Sequence, residues 1–382
     1  MNSSRFDQLL SRQNTGSIKW EKYANTDVIP MWVADMEFAT APEIIAALKN
    51  RLDHPILGYT TGTESLARTV TDYLKKTHDW QIDPDWLVWL PGVVPGLAML
   101  TSMLGDDDQI MVFTPVYHPL LLLPEKYNRK RVDVPLVYAN NRWSIDFTTF
   151  EKSINKHCKM LFLCSPHNPL GTLFSADELR RVVEICSAHN ILVISDEIHC
   201  DLVLHKTLTH TTTGRVAGDN LSNLVTLMSP SKTFNLAGAN CSYAVIPDAT
   251  YRETYKEKCM YTLPIVPTLA FTAARAAYQH GWQWHTELIE YLRGNLQLLR
   301  SEVDHLPYLS MDNPDATYLA WINTATLPVK DAYQFFINAG VGLSPGAQFG
   351  NADYQRLNFA CSRVQLKTAI DRIKVAVEEL QA

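Results

Sequence analysis

The segment Leu227-Met228-Ser229-Pro230-Ser231-Lys232-Thr233-Phe234-Asn235 sets a lysine just beyond an apolar run that begins at Leu224. A lysine delivered from a strand end into a cleft can form a Schiff base with a carbonyl compound and can also move a proton. The hydroxyls of Ser229 and Ser231 flank it at a spacing suited to a phosphate. Four other apolar runs end in groups of different chemistry. Leu87–Leu90 runs into Pro91-Gly92-Val93-Val94 and then an apolar helix. Gln109–Phe113 leads through Thr114-Pro115 to Tyr117. Met160–Cys164 leads to Ser165-Pro166-His167-Asn168-Pro169, and Ile191–Ile194 to Ser195-Asp196-Glu197. Singly, each has an ordinary explanation: a solvated lysine, a capping aspartate, an Asx turn, a core tyrosine. Together they bring one amine, one acid, one amide and one aromatic ring to successive strand ends.

The elements that must position these groups follow from the pattern between them. Short apolar strands alternating with helix-period segments predict a mostly parallel sheet with helices on both faces. Pro42-Glu43 opens one helix with proline at its start and an acid in its first turn, and Ser175-Ala176-Asp177-Glu178 reads as a capping box. In such a sheet the strand C-termini share one edge, and ligands bind there. Beyond Ala270 the character changes. Helices are expected over Ala270–Gln279, Trp282–Val303, Lys330–Ala339 and Val364–Leu380, strands over Thr317–Ile322 and Gln355–Phe359, and a turn-rich loop over 341–346. The expected organisation is a large domain over residues 43–270. A smaller α+β domain is built from 271–382 together with the N-terminal arm, residues 1–42.

The assembled groups match what pyridoxal 5'-phosphate requires. Lys232 supplies the Schiff-base amine. Asp196, emerging charged from a buried strand, is costly to bury unless a cation pairs with it, and a pyridinium nitrogen would do so. The Asn168 amide can donate to the phenolic oxygen, and Tyr117 can cover one face of the ring. The bare N–H groups of Val93 and Val94 at a helix start, with the two serine hydroxyls, can cradle the phosphate.

Ser229-Pro230-Ser231-Lys232-Thr233-Phe234-Asn235-Leu236-Ala237-Gly238 resembles the pyridoxal-lysine motif of fold-type-I aminotransferases. Ser165-Pro166-His167-Asn168-Pro169-Leu170-Gly171-Thr172 and Ser195-Asp196-Glu197-Ile198-His199-Cys200-Asp201-Leu202 resemble two further motifs of that group, in the same order. Pro30-Met31-Trp32-Val33-Ala34-Asp35-Met36-Glu37-Phe38 and His54-Pro55-Ile56-Leu57-Gly58-Tyr59-Thr60 narrow the likeness to the MalY/PatB group of cystathionine β-lyases. The resemblance implies a fold-type-I α/β enzyme with Lys232 and Asp196 at the cofactor. It implies that Arg356 clamps the substrate α-carboxylate, and that Tyr59 reaches the cofactor phosphate of a neighbouring subunit in a homodimer with shared active sites. Two positions depart from the wider aminotransferase pattern. His199 stands where many aminotransferases have tyrosine, and Asn240 where many relatives have a basic residue.

The implied reaction is β-elimination of L-cystathionine and related cysteine conjugates to a thiol, pyruvate and ammonia. Transamination is the alternative, and a non-catalytic scaffold is a third reading that the intact lysine and aspartate disfavour. Composition agrees with a small-molecule enzyme. The 382 residues, 46% hydrophobic, suffice for a large core, and a net charge of −6 without a basic tract gives no reason to expect nucleic acid. Seven cysteines, an odd number with no CxxC pair, read as buried thiols of a reducing cytoplasm and give no metal site. No apolar run approaches the length of a membrane span, and Met1–Asp7 lacks an apolar leader, so a soluble cytoplasmic protein is expected.

Overall fold

Five apolar runs without helical period join one sheet, four of them at its centre and Leu87–Leu90 at one edge. In the computed structural model, which describes residues 4–381, eight strands form it. They are β1 (Leu87–Leu90), β2 (Gln109–Thr114), β3 (Lys130–Ala139), β4 (Arg142–Ile145), β5 (Cys158–Cys164), β6 (Leu192–Asp196), β7 (Leu224–Met228) and β8 (Ser242–Val245). Their spatial order is β1-β8-β7-β6-β5-β2-β3-β4. The run from β7 to β3 is parallel throughout. β8 lies antiparallel between β1 and β7, and β4 closes the other edge antiparallel to β3.

The unbroken apolar character of the central strands has a direct cause. Alternate residues face opposite sides, and both sides are covered. In β5, Leu161 and Leu163 enter one core while Met160, Phe162 and Cys164 enter the other. Helix α5 (Ala176–Ala188) covers the first face with Leu179, Val182, Val183 and Cys186. Its expected capping box forms: Ser175 Oγ accepts from the Glu178 amide at 3.2 Å, and Glu178 accepts from the Ser175 amide at 2.8 Å. Helices α3 (Val93–Ser102) and α4 (His118–Lys126) cover the other face.

A second, antiparallel sheet comprises β9 (Ser310–Met311), β10 (Leu319–Asn323), β11 (Ser344–Pro345) and β12 (Tyr354–Asn358), in the order β9-β10-β12-β11. Helices α7 (Trp282–Val303) and α9 (Arg363–Glu379) pack on one another beside it. The N-terminal arm joins this part of the chain. Ile29–Pro30 pairs in parallel with Val341–Gly342, and Phe6 packs against Trp284 and Tyr291.

Several expectations need correction. β6 ends on Asp196 itself, not at Ile194, so the acid is held by strand pairing and not by a loop. The strand expected from Thr317 begins at Leu319. The segment read as a turn-rich loop contains Val341–Gly342 and β11. β3, β4 and β8 carry no strong sequence signal, being edge-side strands with exposed polar positions or only four residues long.

Candidate active site

The C-terminal ends of the parallel strands open onto one cavity of about 320 Å³. Its walls carry Lys232, Asp196, Asn168, Tyr117, Val93, Val94, Ser229, Ser231 and Arg356. Nine of the ten expected site residues are therefore brought together. The tenth, Tyr59, is 97% exposed and borders a separate groove formed with residues 263–269.

Each wall has a local cause. Helix α3 begins at Gly92 with no side-chain cap. The amides of Val93 and Val94 are among the first four of a ten-residue helix, which have no intrahelical acceptor, and the helix dipole adds positive potential there. Gly96 lets α3 lie close on β1, since a Cβ there would meet Leu90 at 2.7 Å. Asn168 sits in a loop closed by Gly171 N donating to the His167 carbonyl at 2.7 Å. Gly171 has φ +68° and abuts Pro314 and Ala316, so only glycine fits. The Asn168 carbonyl in turn accepts from the Tyr117 amide at 2.9 Å, which ties the amide wall to the aromatic wall.

The lysine turn is stapled to the N-terminal arm. Asn235, at φ 55°, accepts from the Met36 amide at 3.0 Å and donates to the Met36 and Phe38 carbonyls at 3.1 and 2.9 Å. The arm is itself held by a compact ion cluster. Buried Lys19 meets Glu37 at 2.8 Å and Asp35 at 3.4 Å, and Arg12 meets the same two acids at 3.1 and 2.7 Å. Lys232 Nζ ends on the Ala34 carbonyl at 2.6 Å.

Three charged groups at the cavity are poorly compensated. Burial pushes the Asp196 carboxyl up to about 7, although the Ile198 amide, donating at 3.2 Å, and the Lys232 charge oppose the rise. Burial also depresses the Lys232 amine to about 8, against the pull of Asp35 and Asp196. Arg356 is brought down to about 10 by burial. Its guanidinium donates to Asn168 Oδ1 at 3.0 Å and to the Trp32 carbonyl at 2.8 Å, lies 4.6 Å from the Phe349 ring centre, and leaves Nε without a partner. Asn168 Oδ1 is thus occupied, while its Nδ2 has no protein acceptor among the described residues. Ser229 behaves differently from Ser231: its proton is committed to the Cys241 carbonyl at 2.7 Å, and its oxygen accepts from the Ser231 amide at 3.1 Å. Burial and nearby cations hold His118 and His199 below the ordinary histidine range. Among the described wall residues, Lys232 and Arg356 are therefore the cations.

These observations fit pyridoxal phosphate. A buried acid lacks a cationic partner, an amide donor lacks an acceptor, an amine of lowered basicity stands beside both, and a helix N-terminus faces the same space. Asn240, in the left-handed region at φ 57°, also borders the cavity, so no side-chain cation replaces the absent basic residue there. Sequence reasoning missed His118, Ser344, Phe349 and Cys164 as wall residues. Only the Leu343-Ser344-Pro345-Gly346 turn offered a signal. Gly346 packs against the Asn351 and Tyr354 carbonyls, which brings Ser344 beside Arg356.

The sheet order and this cavity define an enzyme built like the aminotransferases, and the chain belongs to the aminotransferase class I and II family, whose model matches residues 26–373. Among individual relatives, it is 37% identical to cystathionine beta-lyase PatB of Bacillus subtilis (strain 168), over 97% of this chain and 99% of that one. The crystal structure of OvoB superposes with a TM-score of 0.94 at 39% identity, covering 97% and 98% of the two chains. The crystal structure of cystalysin from Treponema denticola, which contains a pyridoxal 5'-phosphate cofactor, gives a TM-score of 0.94 at 31% identity, covering 98% and 99%.

Proposed function

We propose that this protein is a pyridoxal-phosphate-dependent carbon–sulfur β-lyase that cleaves L-cystathionine and related S-substituted cysteines to a thiol, pyruvate and ammonia. The observation that carries the reading is the single cavity holding Lys232, Asp196, Asn168, Tyr117 and Arg356, in a chain similar along its length to a cystathionine β-lyase. When bound, the cofactor supplies an electron sink that acidifies the substrate Cα proton. Lys232 would hold it covalently, and its amine, when free, is the base placed to take that proton. Its lowered basicity keeps a usable fraction neutral near pH 7 to 8. Asp196 would pair with the ring nitrogen and favour its protonated form. Asn168 Nδ2 would donate to the phenolic oxygen, and Tyr117 would offer its ring as an aromatic surface for the cofactor. The Val93 and Val94 amides and the Ser231 hydroxyl would hold the phosphate, with Ser229 bracing the Ser231 amide. Arg356 receives the α-carboxylate in a bidentate pair.

The working assembly is a homodimer. Tyr59 stands on a loop that lines a groove with exposed Met260 and Ile265, an apolar surface suited to a second copy. From there it would serve the cofactor phosphate of that copy. The large domain spans 43–270, and the arm 1–42 acts with 271–382. Seven free cysteines support a cytoplasmic setting. Among the described residues no helix is long and apolar enough to cross a membrane.

The test is incubation of the cofactor-loaded protein with L-cystathionine in the absence of any 2-oxo acid. Equal amounts of pyruvate and thiol are expected. No pyruvate in that incubation, with amino transfer once 2-oxoglutarate is added, would replace the lyase with an aminotransferase.

A further inference from the structure

Four consecutive carbonyls of the arm are each pinned by side chains from elsewhere in the fold. Asn358 Nδ2 donates to Val33 and Asp35, both at 2.7 Å. Asn235 donates to Met36 at 3.1 Å. The Ala34 carbonyl between them accepts from the Tyr318 phenol at 3.0 Å and from Lys232 Nζ at 2.6 Å. Tyr318 immediately precedes β10, is 1% exposed, and is fixed by Phe359 N donating to its carbonyl at 3.0 Å. Its ring stands edge-on to His199, with centroids 6.1 Å apart.

A buried phenol needs an acceptor. That need alone does not select the same oxygen the lysine uses. With both lone pairs engaged, the Ala34 carbonyl cannot turn away from Lys232 without breaking the Tyr318 bond. The small sheet therefore sets where the lysine of the large sheet comes to rest.

We propose that Tyr318 is a positioning residue: it fixes the Ala34 carbonyl as the dock for the Lys232 amine whenever that amine is free, so that proton transfer starts from one defined point. This rests on the reading of Lys232 as the proton-moving residue. The charged or titratable groups facing the amine are Asp35 and Asp196, which favour its cationic form, and Arg356, Lys19 and His199. Tyr318→Phe alters none of them and keeps the ring.

The experiment follows acylation of Lys232 by acetic anhydride across pH in the cofactor-free full chain, read by mass spectrometry on the Lys232 peptide. A hydrogen bond to the ammonium favours the charged form. In Tyr318→Phe the midpoint is expected to fall by roughly half a unit, with neutral-pH labelling up about threefold. A tyrosine that only fills space leaves the Lys232 profile unchanged, and that result overturns the proposal. In the loaded enzyme kcat should fall about tenfold while KM stays within about twofold. If the variant folds only with cofactor bound, this kcat–KM split decides, and an unchanged kcat overturns the proposal. A wild-type chain that releases no pyruvate removes the lyase reading but leaves the labelling comparison intact.

Discussion

Asp196 and Asp201 lie five residues apart, both buried, and the fold treats them in opposite ways. Asp201 accepts from the Tyr73 phenol at 2.8 Å and from Thr233 Oγ1 at 2.9 Å, and meets His78 Nε2 at 3.2 Å. Burial alone would raise its carboxyl, but His78 and Tyr73 overcome that and hold it below the ordinary aspartate range. Asp196 has one backbone donor, and burial carries its carboxyl up to about 7. The neighbouring Glu197 is as fully hydrogen-bonded as Asp201. It accepts from Ser195 Oγ at 2.9 Å and from the Thr213 amide at 2.8 Å, with His210 at 2.8 Å. Acids behind the cavity wall are saturated with partners and lock the strand end to α2 (Glu64–His78) and to the lysine turn. The acid on the wall is left short of partners. An unsatisfied buried carboxylate is destabilising on its own, and a cationic ring nitrogen would offset that cost.

The contrast can be broken or sharpened by substitution. Lys232→Ala is expected to lower pyruvate release by at least about a thousandfold, since both covalent attachment and proton removal go with the amine. Asp196→Asn should lower kcat by about a hundredfold or more while raising stability of the cofactor-free chain. The sign follows from the raised carboxyl. The stability permitted by a raised group is complete below its unfolded value near 3.8 and is lost as pH climbs to about 7. A side chain that cannot ionise escapes this loss, so at pH 8 the variant should gain about 1–3 kcal/mol in chemical denaturation.

Arg356→Lys keeps the charge but loses the planar fork. A fall in kcat/KM of about ten- to a hundredfold, carried mainly by KM, is expected in steady-state kinetics. Asp201→Asn should act in the reverse sense to Asp196→Asn, costing about 2–4 kcal/mol at pH 7 because His78 and Tyr73 lose a charged partner. Asp201 contributes stability above its unfolded value and loses it as pH falls through the lowered folded value. The gap between wild type and variant should therefore close in strongly acidic denaturation series. If Asp196→Asn and Asp201→Asn shifted stability in the same direction, the contrast between them would fail.

The sequence made the large sheet legible because its central strands are buried on both faces and end in turn chemistry. Five strands, the capping box at Ser175 and the long helix over Trp282–Val303 could be read directly. β3 and β8 could not, since a polar edge-side strand and a four-residue strand carry little periodicity. At the site, Lys232, Asp196 and Asn168 announced themselves as polar groups leaving apolar strands. Arg356 and Tyr59 were legible only through family resemblance, because an arginine inside β12 and a tyrosine on an exposed loop have no local signature. Tyr318 and Ala34 were invisible. Their roles arise from a contact between the arm, the residue before β10 and the lysine turn, segments far apart in the chain, with Ala34 and Lys232 separated by 198 residues and Ala34 and Tyr318 by 284.

The central claim is that the amine at 232 and the acid at 196 hold one pyridoxal ring between them. Borohydride reduction of the loaded protein, followed by peptide mass spectrometry, tests it most directly. The account predicts the pyridoxyl mass on the Lys232 peptide, retained but weakened in occupancy in Asp196→Asn. The mass on any other lysine would contradict it.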